Sequence, residues 1–376
     1  MIFRNAHIIS ADLDVCGSVR TERGIITEVA CGRIAPRKDE TEVDCHGQFL
    51  CPGLIDIHMH GALGYHWADG TSEAIRTLAE YKLREGVTTV LPTLAAMDKE
   101  QMRKCFAAFR TYASNAPEKN AARLPGVHLE GPFLNPEAVG AQNPAFVRHI
   151  DADEIFSLDE IFPVKRITVA PEMPDVLPAI SSFAARGISV SAGHSKATFR
   201  QIVDAACAGA DSLCHFGNQM TPLHHREIGM VGAGFLMDKL KVELIADRVH
   251  VCPEMLRLTA KIKTADRIVL ITDSERAAGL PENTEISNNG LTVVVRNGEL
   301  RLKQNGALAG SALRLNHGFR NFIRETGMPL AEAIKCVTSN PAELVNLKDT
   351  GRISPGYRAD MVVFSDTWEP LQLFMG

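Results

Sequence analysis

Between residues 51 and 350, short apolar runs alternate with stretches whose apolar positions recur every three or four residues. The runs are Leu54–His58, Thr88–Leu91, Gly126–Glu130, Ile167–Ala170, Ile188–Ser191, Ser212–His215, Val242–Ala246 and Ile268–Asp273. Most are apolar at consecutive positions, as expected of parallel strands covered on both faces. Among the intervals, Ser72–Glu85, Lys99–Tyr112, Ala197–Ala208 and Pro253–Lys263 carry the spacing of amphipathic helices. Eight such alternations predict an α/β chain folded as a (β/α)8 barrel of the TIM type. A doubly wound sheet fits less well, because no Gly-x-Gly-x-x-Gly follows a strand and there is no P-loop.

The flanks read differently. Phe3–Ile9, Gly24–Val29 and Gly47–Leu50 are short β-like pieces between charged turns. After Gly351 the Pro355-Gly356 turn leads into another β-rich run. Residues 1–50 and 351–376 therefore predict one small β-sandwich domain, built from both termini and bracketing a catalytic barrel at 51–350.

Composition changes this picture in three ways. At 376 residues and 45% hydrophobic, the chain can build a large core without staples. A net charge of -5 argues against a nucleic-acid or membrane-surface role, so an anionic ligand must be met by a few placed cations. The nine cysteines include no Cys-x-x-Cys pair, and the first residues lack a long apolar segment. Both features lead us to expect a reducing, cytoplasmic setting and no membrane partner.

The polar residues at the strand ends carry the chemistry. His58 and His60 end the first run, Glu130 the third, His215 the sixth and Asp273 the eighth, while His194 follows the fifth. In a parallel barrel these ends share one rim, the place where such barrels build their sites. Singly, each histidine reads as a hydrogen-bonded structural residue, Glu130 as a salt-bridged rim residue and Asp273 as a helix N-cap. Together they are a ligand set for a divalent ion, zinc, iron, manganese or cobalt. Asp273, ending the most apolar run, is the expected proton-transferring base. His128 shares a face with Glu130 and is expected to support it.

These residues resemble the amidohydrolase superfamily, and more narrowly its N-acetylglucosamine-6-phosphate deacetylase family. The matching segments are P-G-L-I-D-I-H-M-H-G (52–61), H-L-E-G-P-F (128–133), G-A-Q-N-P (140–144) and S-A-G-H-S (191–195). H-F-G-N-Q-M-T-P-L-H-H-R-E-I-G (215–229), I-T-D-S (271–274) and L-A-G-S-A-L (308–313) follow in family order. The resemblance implies hydrolysis of an amino-sugar phosphate to acetate and glucosamine 6-phosphate, by a homodimer. It implies that Glu130, His194 and His215 hold the family's common metal. His58 and His60 match members with a second ion, so one or two ions per subunit are expected, with Asp273 as base and then acid.

It further implies that Asn218, Gln219, Arg226 and His250 contact the sugar phosphate, and that Ala141, Gln142, Leu308, Ala309 and Gly310 line the sugar and acetyl pocket. Some members carry histidine at the position of Gln142. Gly64–Trp67 has no clear match, leaving Trp67 either as a pocket wall or as packing. Three alternatives stand beside this reading: the N-acetylgalactosamine 6-phosphate epimer, a cyclic-amide hydrolase, and a non-catalytic metal-binding paralogue. Lys165 begins its strand rather than ending it, which disfavours the cyclic-amide enzymes that use a carboxylated lysine there. Asp273 disfavours the paralogue, since binding alone needs no proton carrier.

Overall fold

The computed structural model describes residues 1–115, 120–288 and 290–376. Eight parallel strands pair in chain order: Leu54–Met59, Val87–Ala95, Val127–Glu130, Val164–Val169, Ser189–Ala192, Ser212–Leu213, Lys241–Ile245 and Ile268–Ile271. A helix follows each in turn: α1 (Ser72–Leu83), α2 (Lys99–Ser114), α3 (Ala152–Asp159), α4 (Val176–Ala185), α5 (Phe199–Ala208), α6 (Gly229–Leu236), α7 (Pro253–Ile262) and α8 (Leu315–Thr326). The TIM-type architecture is therefore as the sequence predicts.

Helix starts follow local chemistry. Thr71 and Asp98 cap α1 and α2 by accepting from the backbone N–H of Ala74 and Gln101. Thr198 and Gln201 form a reciprocal capping box, so α5 begins at Phe199 rather than at Ala197. The sixth and eighth strands end earlier than their apolar runs, because His215 (φ 26°) and Asp273 (φ 49°) leave extended backbone.

The first and last strands meet without a regular ladder. Asp273 N–H donates to His58 O at 2.9 Å, and His60 N–H to Ser274 O at 2.8 Å. Beneath them the Thr272 hydroxyl donates to buried Asp56 at 2.6 Å. These bonds close the barrel at the rim that carries the candidate site.

The terminal strands Ile2–Ser10, Leu13–Glu22, Ile25–Cys31, Glu42–Asp44, Phe49–Pro52, Met361–Phe364 and Pro370–Phe374 form one mixed sheet. It curls over its own core of Phe3, Ile8, Val19, Ile26, Leu50, Met361 and Val363. Phe3 and Phe374 lie on strands separated by two others, yet their rings meet at 4.7 Å. The strand Phe49–Pro52 runs two residues past position 50 and joins the barrel through Gly53 alone. A Cβ on Gly53 would lie 2.0 Å from Thr88 Oγ1, so that junction admits no side chain.

One element was not expected. Glu285–Asn288, Leu291–Arg296 and Glu299–Leu302 form an antiparallel sheet inserted before α8, with Asn297-Gly298 as its second turn. Trp67 is fully buried and packs 6.2 Å from Phe109, which decides for packing over pocket wall. Trp67→Ala is expected to lower unfolding stability by about 3–5 kcal/mol in denaturant titration. Among the described residues, no helix is long and apolar enough to cross a membrane. All nine cysteines are unpaired.

Candidate metal centre and active site

The six rim residues converge. His58 lies in the first strand, His60 just past it, and Glu130 is the last residue of the third. His194, His215 and Asp273 stand two residues beyond their strands. All three adopt positive φ (46°, 26° and 49°), a conformation that residues other than glycine rarely take. Such strain persists where the surroundings enforce it, and here it accompanies the turn of each chain segment at the barrel mouth.

Glu130 is the hub. Its Oε1 lies 2.9 Å from His215 Nε2, 3.0 Å from His194 Nε2 and 3.3 Å from His58 Nε2. Its Oε2 lies 3.2 Å from His60 Nε2 and accepts from Gln142 Nε2 at 2.7 Å. Asp273 Oδ1 completes the other side, 3.5 Å from His58 Nε2 and 3.4 Å from His60 Nε2. Two ligand groups result: Glu130 with His194 and His215, and Asp273 with His58 and His60.

This donor set fits divalent ions. His194 and His215 present their Nε2 atoms 3.0 Å apart on one carboxylate oxygen, an arrangement that a divalent cation bound by all three would satisfy. The other ring nitrogen of His194 faces Ala138 O at 2.9 Å, so Nδ1 carries hydrogen and Nε2 is the atom left to face an ion. His58 Nε2 is buried without a hydrogen-bond partner and faces the same space. In the protein alone, protons take this part. Burial disfavours charge on His58 and His60, but Cys214, Glu130 and Asp273 outweigh it for His58, and Asp273 and Glu130 for His60, raising both imidazoles well above the ordinary range. His215 is likewise pushed up to about 9, against burial, by Glu130 and Asp273. Glu130 stays well below the usual carboxylate range because His194 and His58 overcome its burial.

A cavity of about 300 Å³ opens above these groups, lined among others by Ala141, Asn218, Gln219, His250, Leu308 and Gly310. A model of the amidohydrolase family matches residues 49–375. The chain belongs to the amidohydrolase family. It is 34% identical to an N-acetylglucosamine-6-phosphate deacetylase of Lysinibacillus sphaericus, over 97% of this chain and 94% of that one. It is 36% identical to an N-acetylgalactosamine-6-phosphate deacetylase of Escherichia coli O157:H7, over 87% of this chain and 86% of that one. The crystal structure of N-acetylglucosamine-6-phosphate deacetylase from Thermotoga maritima superposes with a TM-score of 0.90 at 35% identity, covering 100% of this chain and 98% of that one.

Most of the residues expected at the pocket of this amidohydrolase border the cavity, and three have particular placements. Gln142 lines the cavity but spends its amide on protein: Oε1 accepts from Ala96 N–H at 2.9 Å while Nε2 holds Glu130. Ala309 is buried in the apolar cluster of the inserted sheet with Val293 and Leu300. Arg226 lies on an exposed loop outside the cavity lining, its Nη1 2.7 Å from His225 Nε2. It is not paired with Glu227, which instead accepts from Phe199 and Gly229 N–H.

Sequence reasoning missed three buried groups of the amidohydrolase site. Glu243 Oε2 lies 3.2 Å from His58 Nδ1. His128, expected to support Glu130, instead meets His58 edge-on at 4.6 Å with Thr93 and Thr168 on its ring nitrogens, and burial, His58 and Arg166 hold its pKa well below the usual value. His66 and Glu275 flank His60, one ligand-type atom from each lying within 4.8 Å of the others. His66 Nδ1 accepts from Ala68 N–H at 2.9 Å, which leaves the hydrogen of a neutral ring on Nε2, 3.6 Å from Glu275 Oε2. His66 Nε2 is buried with no hydrogen-bond partner within reach and faces the same space as Glu275 and His60. Only the period-2 alternation in Lys241–Ile245, where the charged Lys241 and Glu243 alternate with apolar residues, could have singled out Glu243.

Proposed function

We propose that this amidohydrolase hydrolyses N-acetylglucosamine 6-phosphate to glucosamine 6-phosphate and acetate. The observation that carries the reading is the placement of Asp273. Its carboxylate stands 3.4–3.5 Å from the second pair of imidazoles and borders the same cavity as Asn218, Gln219 and His250. The names of the two curated relatives and the superposed structure support an amino-sugar phosphate as substrate.

In this reading Glu130, His194 and His215 hold one divalent ion, and His58, His60 and Asp273 a second. Ions held there supply Lewis acidity toward an amide carbonyl and make water a better nucleophile. Asp273 takes a proton as water oxygen adds to the acetyl carbon, then delivers it to the sugar nitrogen as the C–N bond breaks. His250 is oriented for its task by Asp247, whose Oδ2 lies 2.6 Å from its Nδ1. Asn218 Nδ2 donates to His215 O at 3.1 Å, which ties a sugar-contacting residue to a metal ligand. Arg226 stands on an exposed loop outside the cavity lining, so meeting the phosphate with parallel guanidinium donors requires that loop to move toward the cavity. A cytoplasmic homodimer, which the family resemblance implies, completes the proposal.

The test is acetate release by metal-replete protein from N-acetylglucosamine 6-phosphate, its galactosamine epimer and the unphosphorylated sugar. Preference for the first supports the reading, and preference for the epimer replaces it with the activity named for the 36% relative. No acetate from any of them overturns the deacetylase reading. Arg226→Ala is expected to raise KM for the phosphorylated sugar by about tenfold or more, the worth of a charged hydrogen bond, with kcat little changed.

A further inference from the structure

Below the rim, a charged pair crosses the barrel interior. Arg166 and Glu243, from the fourth and seventh strands, are both fully buried. Arg166 donates through Nη1 to Ser189 Oγ at 2.6 Å and through Nη2 to Ser212 Oγ at 2.8 Å. The same Nη2 lies 2.7 Å from Glu243 Oε1. Glu243 Oε2 takes His58 Nδ1–H at 3.2 Å and the backbone N–H of His215 at 3.1 Å. The Glu243 carbonyl also accepts from Phe216 N–H at 2.7 Å.

One oxygen atom therefore serves both ligand groups. An ionised carboxylate only accepts, so His58 carries a hydrogen on Nδ1, which leaves Nε2 as the ring atom to face an ion beside Glu130 and Asp273. The same oxygen anchors the backbone of His215, a ligand of the other group. Arg166, held by two serines, fixes the carboxylate from below.

We propose that Glu243 is a positioning residue that couples the two ion sites, orienting His58 for the second ion from a backbone set by the first. This rests on the two-ion form of the proposed function. The competing explanation is that Glu243 does no more than neutralise a buried arginine. In that case replacing both charges by apolar side chains of similar volume leaves the centre intact, since such exchanges are often neutral for the fold.

Stepwise ion binding distinguishes the two. Zinc is titrated calorimetrically into metal-stripped protein, and bound zinc per chain is counted by elemental analysis. The variants are Glu243→Gln and the double variant Arg166→Met with Glu243→Leu, whose folding is checked by circular dichroism. In both, the second ion is expected to bind about 10–100-fold more weakly, the usual effect of losing a ligand's outer partner, while the first changes by less than about threefold. Unchanged second-ion affinity in the double variant, or equal loss at both steps, overturns the coupling. A single ion in the unsubstituted protein overturns it together with the two-ion reading. Ion counts do not depend on turnover, so failure of the proposed substrate is read separately.

Discussion

Asp273→Asn is expected to lower kcat for acetate release by about 10²–10⁴-fold, the usual contribution of a placed general acid–base. Asparagine keeps the size of the side chain and tolerates the positive φ of 49° at this position, so the fold should survive. It removes the proton acceptor. Because Glu130, His194 and His215 form a separate ligand group, the first ion should stay bound, and its retention is checked by metal analysis of the same preparation. Near-normal turnover with metal in place would remove Asp273 from the mechanism. A loss of turnover that tracks loss of metal would instead make it a ligand first and a base second.

Glu130→Gln should be more damaging to the centre itself. Its two oxygens approach all four imidazoles at 2.9–3.3 Å, so the amide both weakens each contact and places an NH2 group against nitrogen donors. The loss of an outer partner of a metal ligand already costs about 10–100-fold in affinity, and a shared inner carboxylate should cost more than about a hundredfold. Dialysed protein is then expected to hold no stoichiometric metal and to release acetate at background level. Elemental analysis and the acetate assay check both. Full ion content in this variant would show that the ions are held by a different set of residues.

Much of this was legible in sequence because barrels convert linear order into position. Each apolar run ends where the chain reaches the rim, so residues as distant as His58 and Asp273 could be placed together without coordinates. Apolar spacing alone passed over local signals: the Thr198 cap starts α5 two residues later than expected, and the Asn297-Gly298 turn belongs to a sheet that the barrel alternation obscured. The outer contacts were not legible. Glu243, Arg166, His66 and Glu275 meet through barrel register and loop packing, which no local spacing encodes. Gln142 lines the cavity as its segment implied, but that segment gave no sign that its amide would be committed to Ala96 and Glu130. Trp67 was ambiguous for the same reason: an aromatic residue beside a rim histidine gives no hint of which side of the strand layer receives it.

The seam between the first and last strands has a consequence for how the protein is made. The bond from Thr272 to Asp56 spans 216 residues, and Asp273 reaches His58 only once that seam closes. The group of Glu130, His194 and His215 lies wholly upstream of it. During synthesis from the N-terminus, these three residues leave the ribosome before Asp273 has been added. The two ion positions are thus separated in time as well as in space: one is chemically complete in a partial chain, and the other exists only after the barrel has shut.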